Sequence, residues 1–202
     1  MTILESKAVS YAKWCIEPKN KKVPKYVKKQ CEAWLNIVNG ADDEAYTDEK
    51  MFNKLCKLLK LIIHPDLQQP LIDCMEEYAW LLITAVFCTK SKADNTRYYR
   101  TALLEICRKN FKTFYSGVIF IIGMLTEGKF CRFFSVAPDL KLSKELQIAI
   151  KKIIKSSPAL SDEIFKALRS EIRCLINDSE YIPLAYSEDK MDGKFLPAVI
   201  AI

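Results

Sequence analysis

Apolar residues recur at helical spacing through the first third of the chain. Ala8, Tyr11, Ala12, Cys15 and Ile16 share one face, and Pro18 closes the segment. Pro24 opens a second helix, because a proline in the first turn gives up an N–H that has no intrahelical partner. Tyr26, Val27, Cys31, Trp34, Leu35 and Val38 line that helix, which stops at Asn39-Gly40. After the acidic loop Asp42-Asp43-Glu44, Thr47 reads as the N-cap of a third helix. Lys50 stands where a glutamate would complete the capping box. Met51, Leu55, Leu58, Leu59 and Ile62 form its apolar face, and His64-Pro65 ends it. A fourth helix starts near Gln69-Pro70 and runs to Cys88, apolar on nearly every side in its second half, which signals burial among several neighbours. Trp14, Trp34 and Trp80 sit among apolar residues at helical spacing and are expected in the core. Residues 90–97 are polar and read as a loop.

From residue 98 the pattern alternates. Segments 98–106 and 132–137 read as strands, with a helix over 113–125 between them. A further helix over 143–154 places Leu146, Ile150 and Ile153 on one face, and Ser156-Ser157-Pro158 breaks it. Residues 162–168 suggest a short helix, 171–176 and 181–185 a hairpin around Asn177-Asp178-Ser179-Glu180, and 195–202 a last strand. Strands interleaved with helices predict an α/β fold with a mostly parallel sheet and flanking helices, preceded by a helical N-terminal segment. The expected division is a helical segment at 1–65 and an α/β domain at 66–202.

Half of the 202 residues are hydrophobic and 28% are charged, ample for a packed core. The net charge of +6 is unevenly spread: Lys13, Lys19, Lys21, Lys22, Lys25, Lys28 and Lys29 lie close together with Glu17 the one acid among them. Such a run suits nucleic acid or another acidic surface, and equally a solvated loop and helix face. Eight cysteines form no CxxC pair and His64 is the one histidine, so no zinc site is indicated. No signal peptide opens the chain, and the apolar runs 78–88 and 118–125 are too short to span a bilayer. A soluble cytoplasmic protein with reduced, mostly buried cysteines is expected.

The chemistry concentrates in Arg108-Lys109-Asn110-Phe111-Lys112-Thr113, between the expected strand 98–106 and the helix that follows. A strand, a polar turn ending in Lys-Thr, and a helix can hold a nucleoside triphosphate. Backbone N–H groups and the helix dipole meet the phosphates, Lys112 reaches the outer ones, and the Thr113 hydroxyl sits on Mg²⁺. Against the G-x-x-x-x-G-K-[ST] pattern, Ile106 and Phe111 stand at the two glycine positions, and a Lys-Thr pair alone also reads as a structural helix start. The missing glycines count against a P-loop kinase.

Residues 104–113, Leu-Glu-Ile-Cys-Arg-Lys-Asn-Phe-Lys-Thr, resemble the deviant Walker A of tailed-phage terminase large subunits of the HK97-like type, an Arg-Lys-Asn-x-Lys-Thr/Ser core after the first ATPase strand. The likeness continues through Phe133-Phe134-Ser135-Val136-Ala137-Pro138-Asp139, Ile154-Lys155-Ser156-Ser157-Pro158, Tyr181-Ile182-Pro183-Leu184-Ala185-Tyr186-Ser187 and Lys190-Met191-Asp192-Gly193-Lys194. Upstream, Pro70-Leu71-Ile72-Asp73-Cys74-Met75 is similar to the family's adenine-side segment, with Met75 where glutamine is common. The resemblance implies a partial P-loop NTPase and an ATP-driven motor that packages phage DNA into the procapsid in a bacterial cytoplasm. ATP and Mg²⁺ are the implied cofactors; phage DNA, the small terminase subunit and the portal protein are the implied partners, in an oligomeric motor. It further implies that Lys112 and Thr113 hold phosphate and Mg²⁺, that Lys109 and Asn110 line the loop, and that Arg108 binds nucleotide and acts as an arginine finger in cis. In the family an Asp-Glu pair follows the strand matching 196–202. This sequence stops before one, so nucleotide binding without DNA pumping is the expectation, with Asp189 and Asp192 read as structural. A different class of reading makes the chain a non-enzymatic module whose basic helices bind DNA or a phage partner protein.

Overall fold

The computed structural model describes residues 2–160, 163–186 and 198–201, the last group as backbone. They form two compact units, one of Met1–Lys57 with Met75–Leu104 and the other of Leu58–Cys74 with Glu105–Ile202. No described helix is long and apolar enough to cross a membrane.

The first unit is mainly helical. Ser6 caps α1 (Lys7–Ile16), its hydroxyl accepting the Val9 N–H at 3.4 Å and donating to the Ile3 carbonyl at 2.6 Å. Helix α2 (Lys25–Val38) follows Pro24 as the sequence predicts. It ends in a Schellman turn: Gly40, at φ 74°, donates to the Ile37 carbonyl and Ala41 to that of Asn36. Strand β1 (Ala45–Thr47) pairs antiparallel with β2 (Thr89–Ser91), so Thr47 belongs to a strand and does not cap α3 (Glu49–Leu61). Asp48 has that role, its carboxylate accepting the Met51 N–H at 3.0 Å. The long helix expected to Cys88 is broken at Met75-Glu76 into α4 (Leu71–Cys74), which belongs to the second unit, and α5 (Glu77–Cys88). Trp34 and Trp80 are core residues at 1% exposure, and the Trp34 indole N–H donates to the Thr89 hydroxyl at 3.2 Å. Trp14 departs from expectation. It is 46% exposed and stacks on Tyr11, because α1 turns Ala8, Val9, Ala12 and Cys15 inward instead.

The second unit holds a five-stranded sheet in the order β4 (Phe165–Ala167), β5 (Ile172–Cys174), β6 (Ser179–Ala185), β3 (Arg132–Ala137) and β7 (Ala198–Ala201). The α/β class is as predicted. The sheet is mixed: β4, β5 and β6 pair antiparallel, while β6, β3 and β7 pair parallel. Two local expectations fail. The short helix read over 162–168 is strand β4, because Phe165 pairs with Cys174 and both are fully buried on one face of the sheet. The strand expected over 98–106 is absent: residues 101–107 have no regular structure, and Leu103 is 88% exposed. A strand forms only with a neighbour to complete its ladder, and both sides of β3 are taken by β6 and β7. Ser187, Asp189, Asp192 and the segment 190–194 lie outside the described residues, as do 195–197 and 202 of the predicted last strand.

Pro183 shows how the sheet tolerates a proline. Glu180 and Tyr186 send their N–H groups to carbonyls of Cys131 and Ala137 on the β3 side, so odd-numbered positions of β6 face β5. Pairing with β5 ends at Tyr181, so among the described residues the missing N–H of Pro183 faces no partner strand.

Two helices cover this sheet. Helix α7 (Leu140–Ser156) is capped by Asp139, which accepts the Leu142 N–H at 2.8 Å. Helix α6 (Lys112–Thr126) buries Tyr115–Val118 and Phe120–Met124. Phe120 meets Phe133 and Tyr181 with ring centroids 6.0 and 5.0 Å apart, each such buried ring contributing roughly 1.5–3 kcal/mol. Gly123 lies so close to Phe133 that a Cβ there would fall 2.9 Å from the ring. The Asn177 amide, just ahead of β6, donates to the Met124 carbonyl at 2.7 Å. The end of α6 therefore lies where β3 and β6 begin, and its start lies toward their carboxyl ends, where open α/β sheets place ligands.

Candidate functional site

Helix α6 is preceded by an exposed turn. Arg108, Lys109 and Asn110 are all exposed, and the Asn110 amide donates to the Cys107 carbonyl at 3.2 Å. Lys109 has φ 69° and Phe111 has φ 56°, both left-handed, while Asn110 between them does not. Turns that enter the left-handed region are among the backbone forms that gather N–H groups toward an anion. Phe111 is the N-cap of α6 and offers no side-chain cap. No side chain of the N-cap residue caps the helix, and no acid occupies its first turn. Lys112 is exposed at the first helical position and Thr113 half-buried at the second.

The loop is held from an unexpected direction. With no strand ahead of it, its position is set by α6 and by an aromatic cluster beneath Phe111. That ring is 44% exposed and meets Tyr115 and Phe114 edge-on at 6.5 Å and His64 at 5.9 Å. His64 also packs on Phe114 at 4.6 Å and is itself 5% exposed. Its Nδ1 accepts the N–H groups of Asp66 and Leu67, both at 3.2 Å, so the ring proton sits on Nε2. The His64 N–H donates to the Gln69 carbonyl and its own carbonyl accepts from Gln68, closing a tight turn with Gln68 at φ 54°. In sequence His64 marks only a helix end, and nothing local foretells its contact with the loop.

Positive charge, uncapped N–H groups and a hydroxyl at one helix start suit a polyphosphate and a divalent cation bound with it. Phe111 adopts the backbone form that glycine would supply in a standard phosphate loop, at a cost of roughly 1–2 kcal/mol. The structure thus brings Arg108, Lys109, Asn110, Lys112 and Thr113 into one turn and helix start. In the segment likened to the family's adenine side, Leu71 is fully buried and Met75 is 4% exposed, so neither offers a surface to a base.

The model of the family described as the terminase large subunit, ATPase domain, matches residues 77–202. The chain belongs to that family. The crystal structure of the HK97 bacteriophage large terminase is similar in fold, with a TM-score of 0.60 at 19% sequence identity. The likeness covers 74% of this terminase-family chain and 30% of the HK97 one. No curated protein matches the chain. Membership in a terminase ATPase family implies nucleotide use, and residues 108–113 fall inside the matched region.

Proposed function

We propose that this chain is the ATP-binding part of a phage DNA-packaging motor, holding ATP–Mg²⁺ at the start of α6. The observation that carries this is the left-handed, uncapped turn at Lys109–Phe111, running into Lys112 and Thr113 within a terminase ATPase match. Lys112 would hold the outer phosphates, Thr113 the Mg²⁺ ion, and the N–H groups of the first turn the phosphate oxygens. Lys109 and Asn110 line the turn. Arg108, four residues before Lys112 and exposed, would meet charge on the outer phosphoryl group, the role of an arginine finger in cis. Bound Mg²⁺ would neutralise phosphate charge. Phage DNA, the small terminase subunit and the portal protein are the corresponding partners, met in an oligomeric motor in the host cytoplasm.

The test is a titration with a fluorescent ATP analogue and Mg²⁺. Saturable binding is expected, weakened at least about tenfold by Lys112→Ala, since charge-assisted contacts of this kind contribute roughly 1.5–3 kcal/mol. Lys112 is exposed, so the substitution leaves the fold intact. Absence of binding by the folded chain, or equal binding by the variant, would overturn the proposal.

A further inference from the structure

The charge of this protein has a location. Between residues 13 and 29 the chain carries seven lysines and one glutamate, so this segment alone accounts for the net charge of +6 and the rest is balanced. It comprises the end of α1, the connecting turn and the start of α2. Lys19, Lys21, Lys22, Lys25 and Lys29 are exposed. Among the described residues, the ion pair formed here is Lys19 with Glu17 at 2.9 Å, with the lysine side chain 79% exposed. The first turn of α2 has neither an acidic residue nor a side-chain cap. Lysines there sit at the positive end of the helix dipole, which disfavours them and adds to the local potential.

Aromatic rings stand among these cations. Tyr26, in the first turn of α2, is 83% exposed. Trp14, in the last turn of α1, is 46% exposed and backed by Tyr11 at 5.6 Å and 21°. A ring stacked on one side presents its other face to a ligand. Cations interleaved with exposed rings match a strand of nucleic acid, whose phosphates take the charge and whose unpaired bases stack. An acidic polypeptide would use the lysines and leave the rings idle.

We propose that the α1–α2 tip binds single-stranded nucleic acid, its lysines on the phosphate backbone and Trp14 and Tyr26 on unpaired bases. The segment lies outside the residues matched to the family, and the proposal stands apart from nucleotide binding at α6.

The test uses the full chain without ATP and labelled oligothymidylate, read by anisotropy across a salt series. With about five lysine contacts, log affinity should fall against log salt with a slope on the order of −3. Lys21→Glu with Lys22→Glu and Lys25→Glu should weaken binding at least about tenfold. The same charge change at the exposed residues Lys141, Lys144 and Lys152 should alter it less than about twofold. Tyr26→Ala, which removes an exposed ring and leaves the fold alone, should cost about fivefold or more on the single strand and less on a duplex. Oligothymidylate should also quench tryptophan emission, an effect lost in Trp14→Phe. Equal losses from both lysine sets, no effect of Tyr26→Ala, or polyglutamate binding as tightly as the oligonucleotide would each overturn the proposal.

Discussion

A phenylalanine held at φ 56° would be more stable as glycine were backbone strain the whole account, and the surroundings of Phe111 show why it is not. Its ring lies on a cluster of His64, Phe114 and Tyr115, and edge-on aromatic pairs contribute about 0.5–1.5 kcal/mol each when well packed. The strain and the ring contacts offset one another, which fixes the turn that glycine would leave loose. His64 has two separable parts in this: its Nδ1 closes the turn after α3, and its ring supports Phe111 and Phe114. His64→Ala should remove both and destabilise the protein by about 1–3 kcal/mol, since two N–H groups lose their acceptor. His64→Asn should keep the turn through its side-chain oxygen, as in an Asx-turn, and lose only the ring contacts. Urea unfolding should therefore rank the alanine variant well below the asparagine one; equal stabilities would show that Nδ1 does not hold the turn. The Lys-Thr pair and its basic neighbours were legible in the sequence because they are contiguous. His64 was not, because its contact with the loop is made by folding alone.

At the scale of elements, local signals decided the helices. Pro24 before α2 and Gly40 after it are chemical stops and starts that act whatever the tertiary surroundings, whereas a reading that starts the later helix at residue 143 passes over Asp139, the cap of α7. Strands were harder, since their existence depends on a partner that no local window contains. Phe165–Ala167 reads as helix until Ile172–Cys174 is placed beside it, and 98–106 reads as strand although Tyr98 alone of it bonds β2 among the described residues, through its N–H to the Thr89 carbonyl. The close approach of α6 to β3 gives a direct test. Alanine for glycine in a helix interior ordinarily stabilises by about 1 kcal/mol. At Gly123 the new Cβ would meet the Phe133 ring at 2.9 Å, and that ring is 2% exposed with little room to yield. Gly123→Ala should therefore destabilise by about 1–2 kcal/mol, an overpacking cost larger than the propensity gain. A raised thermal midpoint in this variant would show that α6 and β3 can separate freely.

For the molecule as a whole, tyrosines couple both units to alkaline pH. Burial pushes Tyr11 and Tyr99 in the first unit, and Tyr181 in the second, up to about 12. Tyr181 is fully buried, and its hydroxyl lies 2.7 Å from that of Ser135, which in turn lies 2.8 Å from that of Ser143. The folded state prefers the neutral phenol. Its contribution to stability is complete below the unfolded value near 10 and is lost as pH rises toward 12. All three tryptophans, Trp14, Trp34 and Trp80, lie in the first unit, so their fluorescence reports on that unit, while circular dichroism reports on both. Tyr181→Phe should therefore move the alkaline transition upward in circular dichroism and leave the tryptophan transition in place. A shift in both would mean that the units unfold as one. The placement of Cys107 has a practical consequence for such experiments. Cys107 is the exposed cysteine, while Cys15, Cys31, Cys88 and Cys174 are buried and their thiols pushed upward. A maleimide dye offered in limited amount should settle at the root of the Asn110 turn without any engineered residue, turning the native chain into its own optical reporter of events at α6.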